Sequence, residues 1–174
     1  MNSFDIPVLR TQRLILRPLA AADLDGFAAM HADPAVVRHL GTGATRSREE
    51  TWDMMARMLG QWPLRGYGMF AVEEAATGRF AGRAGLLHPL TWPAPELAYG
   101  FDAPFWGKGY ATEAARALLG WAWEEKRLDR LVSFVRPDNA GSVGVLRKLG
   151  ARLVTEQEML GAPAQVWEHL PPIR

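Results

Sequence analysis

A mixed α/β (α+β) fold is what this chain predicts, on three observations. Segments 67–74, 80–88 and 96–101 are strand-like runs separated by turn residues, and they read as successive antiparallel strands. Segments 110–126 and 139–149 carry apolar residues at helical spacing. Segment 131–135 between them is a short apolar strand, so this half of the chain runs strand, glycine turn, helix, strand, capped helix. No repeat, low-complexity tract or linker interrupts residues 1–174, which read as a single domain long enough to bury a sizeable core.

Each element has a local reason. Leu14 and Leu16 share one face of an N-terminal strand, and a short helix over 21–31 follows with Asp23 in its first turn, where acids suit the helix dipole. A second helix over 48–61 carries a stripe of Trp52, Met55, Met58 and Leu59, suited to the core or to the wall of a cleft. Ala76-Thr77-Gly78 and the proline-rich 89–95 turn the chain between the antiparallel strands. In the helix over 110–126, Ala111, Ala114, Ala115, Leu118, Leu119 and Ala122 form an apolar face. Glu113, Arg116 and Glu124 fall on a solvated one. Glu113 suits the helix N-terminus and could pair with Arg116 at i, i+3, worth a few tenths of a kcal/mol. Asn139 is the N-cap of the next helix, Val143, Leu146 and Leu149 its buried stripe, and Gly150 its stop. A hairpin of 152–158 and 165–170 closes the chain.

The stretch Trp106-Gly107-Lys108-Gly109-Tyr110-Ala111-Thr112-Glu113-Ala114 carries the most chemistry. Two glycines one residue apart allow positive φ and leave no side chain in the way of an anion. The helix that starts there adds unpaired amides and the positive end of its dipole, a combination suited to pyrophosphate. The turn is not a P-loop, because Gly109 rather than Ser or Thr follows Lys108. A dinucleotide fingerprint fits poorly too, since Thr112 stands where a third Gly or Ala belongs and Asp129 precedes the next strand instead of ending it.

Composition narrows the function. With 48 % hydrophobic and 22 % charged residues the chain is ordinary for a globular protein, and a net charge of +1 gives no basic footprint for nucleic acid. The absence of cysteine excludes disulfides, thiolate metal sites and an acyl-cysteine intermediate, and no metal site is expected. No apolar run is long enough for a membrane span and no signal-peptide pattern is present, so a cytoplasmic location without membrane partners is expected.

These blocks together resemble the GCN5-related N-acetyltransferases (GNAT), and within them the branch typified by the ribosomal-protein N-terminal acetyltransferases, RimJ and RimL. The family's pyrophosphate motif, Gln/Arg-x-x-Gly-x-Gly/Ala, is similar to Trp106-Gly107-Lys108-Gly109-Tyr110-Ala111, with Trp106 departing at the first position. Its second motif, Asn-x-x-Ser followed by Lys-Leu-Gly, is matched by Asn139, Ser142 and Lys148-Leu149-Gly150. The opening Thr11-Gln12-Arg13-Leu14-Ile15-Leu16-Arg17-Pro18-Leu19 also fits the branch, as does Asp23-Leu24. The resemblance implies a central, mostly antiparallel sheet splayed between two parallel strands, with helices on both faces. It implies acetyl-CoA as co-substrate, with its pyrophosphate on the amides of Gly107, Gly109, Ala111 and Thr112 and its pantetheine arm along the strand edge at Tyr99 and Phe101. Asn139 would reach that arm from the other side. Lys108 and Lys148 are each either phosphate partners or solvated surface residues.

Acyl transfer to an amine requires a group to take the amine's proton, a donor for the developing oxyanion and an acid for the leaving thiolate. The branch often carries Glu at the position of Glu96, which makes Glu96 the candidate base, or alternatively the site that binds the acceptor's ammonium. Ser142, one turn into its helix, is the candidate acid, because the helical Tyr used by many members is replaced by Leu146. A backbone amide within 99–101 is the candidate oxyanion donor, and His88 is an alternative base or a structural residue. An α-amino group of pKa near 7.7–8.0 is roughly a tenth deprotonated at pH 7, against about one in 2,500 for lysine, so a weak base suffices for a peptide N-terminus. That is compatible with peptide N-termini and with other low-pKa amines, and the resemblance makes a protein or peptide α-amino group the acceptor expected. A small amine such as a polyamine, an antibiotic amine or an amino-acid derivative is the alternative, and a silent acyl-CoA sensor is an option from a different class. A homodimer is compatible with the sequence, though no motif selects it.

Overall fold

The computed structural model describes residues 5–172. Its strands are β1 (Leu9–Arg10), β2 (Leu14–Arg17), β3 (Met69–Glu74), β4 (Arg79–Leu87), β5 (Glu96–Phe101), β6 (Leu131–Val135), β7 (Arg152–Met159) and β8 (Ala162–His169). The helices are α1 (Leu24–Ala32), α2 (Pro34–Val37), α3 (Arg48–Arg65), α4 (Tyr110–Glu124) and α5 (Ala140–Lys148). All eight strands form one sheet in the order β1-β2-β3-β4-β5-β6-β8-β7, antiparallel throughout except between β5 and β6.

Two apolar layers hold helices to opposite faces. On one, Ala114, Ala115, Leu118 and Ala122 of α4 are fully buried against Leu14, Leu16, Phe70, Leu86 and Leu97. The run of alanines lets the helix backbone approach the sheet closely. On the other, Met55 and Met58 of α3 and Phe27 of α1 pack on Met69 and Ala71. Trp52, expected in the same stripe, is 48 % exposed. It lies off the sheet-facing arc that Met55 and Met58 define, so the apolar face is narrower than the spacing suggested.

Two other elements differ from expectation. The helix α3 continues to Arg65 through Pro63, four residues past the expected end. Pro63 forfeits one helical hydrogen bond, but its neighbours anchor the last turn: the Trp62 indole donates to the Met69 carbonyl (3.1 Å) and the Gln61 amide to the Leu86 carbonyl (2.7 Å). Gly66, in the left-handed region at φ 74°, then ends the helix. The short α2 was not anticipated; Asp33 caps it by accepting from the Ala35 amide at 2.8 Å, and Pro34 sits at its first position.

Candidate active site

The glycine turn is built as an opening in the backbone's own hydrogen bonding. Gly107 and Gly109 take φ of 73° and 80°, conformations costly for other residues. The first hydrogen bond of α4 runs from the Glu113 amide to the Gly109 carbonyl at 3.1 Å. The amides of Tyr110, Ala111 and Thr112 therefore have no backbone acceptor among the described residues, and they point where the dipole is positive. They face a cavity of about 710 Å³ whose lining includes Tyr99, Phe101, Gly107, Gly109, Ala111, Thr112 and Asn139.

A clamp that the sequence did not disclose braces this turn. Glu113 accepts from the Thr11 hydroxyl (2.6 Å), the Arg13 amide (2.8 Å) and Arg13 Nε (2.7 Å). Arg13 also donates to the Lys108 carbonyl at 2.9 Å. Burial acts against the Glu113 carboxylate, but these hydrogen bonds outweigh it and hold its pKa below the ordinary range. The expected Glu113–Arg116 pair is not formed; Arg116 turns to the Lys148 carbonyl instead (3.3 Å). Lys108 leaves the cavity, its ammonium 3.9 Å from Glu74 and over the Phe105 and Tyr110 rings, whereas Lys148 stays on the lining.

Beside the turn the sheet comes apart. The strands β5 and β6 are in register at a single pair, Glu96 with Val132. Beyond it, side chains replace the ladder: the Glu96 carboxylate accepts from the Phe134 amide at 3.2 Å, and the Ser133 hydroxyl donates to the Leu97 carbonyl at 2.8 Å. The edge of β5 over 98–101 is left without a strand partner on this side, as augmentation by an amide-bearing ligand requires. Its Phe101 carbonyl is already taken by the Trp106 indole at 2.7 Å, which gives Trp106 a bracing role at its divergent motif position.

A second cavity, about 650 Å³, opens on the other side of the fork and is lined by Glu96, Arg83, Tyr99, Ser133, Phe134 and Trp92 among others. The two cavities share His39, Leu40, Tyr99, Asn139 and Ser142. Asn139 caps α5 by accepting from the Ser142 amide (3.1 Å) and donates to the Ser142 hydroxyl (3.2 Å), which leaves that hydroxyl's own proton free to be given away. The Tyr99 hydroxyl is buried and has no hydrogen-bond partner among the described residues. Burial pushes its pKa up to about 12, against the pull of the neighbouring Ser142 hydroxyl, so it remains a proton donor. Leu146, which stands in place of the helical Tyr, is wholly buried with Val135 and Trp167. The junction has a phenol nonetheless, supplied by β5.

Glu96 is 8 % exposed, and burial pushes its carboxyl up to about 8, opposed by the Phe134 amide and by the charge of Arg83. A carboxyl tuned to this range suits proton exchange near neutral pH. His88 stands outside the lining; its ring accepts or shares the Tyr67 hydroxyl proton at 2.7 Å, and its amide donates to Gln61. The sequence reading missed Arg13, Arg83 and the Tyr99 hydroxyl. Arg13 lies in the opening motif, which assigns it no role, and strand alternation alone would have placed Arg83 on a buried face.

A sheet parted between two parallel strands, with an anion-ready helix start beside the gap, is the architecture of an acyl-CoA-dependent transferase. The acetyltransferase (GNAT) domain model matches residues 13–152, and the chain belongs to that family. The crystal structure of an acetyltransferase from Agrobacterium tumefaciens str. C58 is similar over 97 % of both chains, at 33 % identity and a TM-score of 0.85. An Aspergillus fumigatus protein named FsC-acetyl coenzyme A-N(2)-transacetylase is 28 % identical over 157 residues, covering 83 % of this chain and 64 % of its own length. RimL, a ribosomal L7/L12 alpha-N-protein acetyltransferase solved with coenzyme A, shares the fold at a TM-score of 0.78 and 19 % identity, with 94 % of this chain and 98 % of its own covered. The protein is a GNAT-family N-acetyltransferase with acetyl-CoA as co-substrate. No helix among the described residues is long and apolar enough to cross a membrane.

Proposed function

We propose that the protein transfers the acetyl group to the α-amino group of a protein or peptide N-terminus, in the manner of the RimJ and RimL branch, by direct attack and without an acyl-enzyme. The observation that carries this reading is Glu96, a buried carboxyl tuned to about 8 that lines the cavity beyond the fork, which the other cavity joins at Tyr99, Asn139 and Ser142. That value matches the pKa of an α-ammonium, near 7.7–8.0, so proton transfer between the two is close to even. The glycine turn, its open amides and the unpaired edge of β5 fit a pyrophosphate joined to an amide-bearing arm, and Gly107, Gly109, Ala111, Thr112 and Asn139 would hold it. Acetyl-CoA supplies an acetyl group activated as a thioester.

In this reading Glu96 takes the acceptor's proton, directly or through water. A backbone amide within 99–101 is aimed at the oxygen that gains charge. Tyr99 or Ser142, both at the junction, returns a proton to the sulfur. The ribosomal branch is supported by the wording of the 106–114 motif. A small-molecule amine is the second reading, supported by the N(2)-transacetylase name of the Aspergillus relative. The test is calorimetric titration of acetyl-CoA into the wild type and Gly109→Glu, followed by CoA release against peptide N-termini and small amines. Binding by the wild type alone, with release driven by peptides, is expected; release driven by small amines only would overturn the peptide reading.

A further inference from the structure

The acceptor cavity has an unusual charge balance. Four arginines line it, Arg46, Arg57, Arg83 and Arg136, with Glu96 as the sole carboxylate of the lining among the described residues. Arg136 is already employed, donating to the carbonyls of Gly41, Met159, Ala162 and Pro163. Arg46, Arg57 and Arg83 make no ion pair among the described residues. Arg83 is the extreme case: it is 9 % exposed, and its Nε has no hydrogen-bond partner among the described residues.

A guanidinium buried without a partner is costly, and the cost is relieved when a carboxylate forks onto it. Glu96 does not serve that purpose, because no Arg83 nitrogen lies within ion-pair distance of it. Arg83 pairs with Gly100 across β4 and β5, and Glu96 with Leu87, so strand alternation puts both charged residues on the same face of the sheet. Four residues of β5 separate the two register positions, about 13 Å at the usual strand rise. Between them the face carries Gly85 and Ala98, which have little or no side chain. Each feels the other's charge, yet the two are not in contact, so one cavity offers a cation and a carboxylate that do not pair with each other.

We propose that the acceptor carries a carboxylate close to its amine, and that Arg83, assisted by Arg46 and Arg57, binds that carboxylate while Glu96 receives the amine. This rests on the acetyl-transfer reading of the site and names its substrate class. The carboxylate is either the side chain of an acidic residue at a peptide N-terminus or the α-carboxylate of an amino acid. Polyamines, which bring only positive charge, are repelled by the same three guanidiniums.

The test compares acceptors that differ only in this group. CoA release is followed with peptides beginning Asp-Ala against Asn-Ala, and with free amino acids against their amides. The anionic member of at least one pair is expected to have a kcat/KM about 10-fold higher or more, mainly through KM. Preference in the peptide pair assigns the carboxylate to a side chain, and preference in the amino-acid pair to the α-carboxylate. In Arg83→Gln the preference collapses toward unity, and Arg83→Lys restores part of it. Equal rates within both pairs in the wild-type enzyme overturn the proposal without touching the transfer reading, and that result needs no variant to fold. Binding of the N-acetylated products in the presence of CoA, measured by calorimetry, separates the two ideas. Carboxylate-dependent product binding without turnover of any acceptor keeps the Arg83 site and sinks the proposed transfer to a peptide amine.

Discussion

The turn around Gly107 and Gly109 and the cavity around Glu96 and Arg83 lie on either side of Tyr99, yet they present different parts of the chain. On the turn side the groups offered are main-chain amides, freed by two glycines with positive φ and by the start of a helix. On the acceptor side they are side chains from β4, β5, β6 and α3, brought together only by the sheet. Main-chain recognition suits a ligand whose phosphates are constant, since amides cannot be exchanged by mutation. Side-chain recognition suits the variable partner, because one substitution changes its charge.

The sharpest way to separate the halves is Glu96→Gln. It keeps the shape and removes the proton acceptor, so kcat/KM for the amine is expected to fall about 10²- to 10⁴-fold while acetyl-CoA binding by calorimetry stays at the wild-type value. Wild-type kcat/KM should rise with pH through about 8, as both Glu96 and the acceptor's α-ammonium, of pKa near 7.7–8.0, lose their protons, and in the variant only the acceptor's own ionisation should remain, so the limb becomes shallower. Stability gives a second readout with a fixed sign. The folded carboxyl at about 8 holds a proton that the unfolded one releases near its ordinary 4.5, so between these values folding is weakened as pH rises. Urea melts should therefore show Glu96→Gln gaining on the wild type between pH 5 and pH 9. Melts that shift in parallel would remove burial as the cause of the tuning.

The converse variant is Gly109→Glu. A side chain at φ 80° strains the turn by about 1–2 kcal/mol, and the added charge repels phosphate. Acetyl-CoA is expected to bind at least about 10-fold more weakly. Unchanged affinity would remove the turn from the donor site.

At the junction the expected effects are smaller. Tyr99→Phe and Ser142→Ala should each lower kcat about 10-fold with little change in KM, because both would act on the leaving sulfur, and the double variant should lose less than the product of the two. Multiplicative losses would mean that the two hydroxyls act independently.

The comparison also explains what the sequence disclosed. The turn, α4, β6 and the Asn139 cap were legible because each rests on residues adjacent in the chain: glycine spacing, an alanine-rich helical face, an N-cap followed three residues later by Ser142. Glu96 was legible only through the family's wording, since nothing local announces that β5 and β6 part at that residue. Arg83 was legible only as a strand residue on a buried face, and the Tyr99 hydroxyl was not legible at all. Their significance depends on burial and on partners they lack, and both properties arise from packing across the sheet. The unanticipated extension of α3 has the same origin, for Trp62 and Gln61 hold the Pro63 turn through bonds to β3 and β4.

Glu113 tests how far that division holds. The donor site is main chain, but the turn that presents it is fixed by a side-chain clamp reaching back about 100 residues to Arg13 and Thr11. The pair is partly exposed, with 44 % of the Arg13 side chain accessible and 16 % of Glu113, so its contribution to folding is discounted to about 1 kcal/mol or less. Its larger effect should fall on presentation: Glu113→Gln keeps the oxygen that accepts from Thr11 but loses the charge that holds Arg13, and Arg13 in turn braces the Lys108 carbonyl. A loss of about 2- to 5-fold in acetyl-CoA affinity, on the scale of a weakened surface ion pair, is expected by calorimetry, with amine KM unchanged. A loss confined to thermal stability, with affinity intact, would show that the glycines and the helix start set the turn by themselves and that the clamp only fastens β2 to α4.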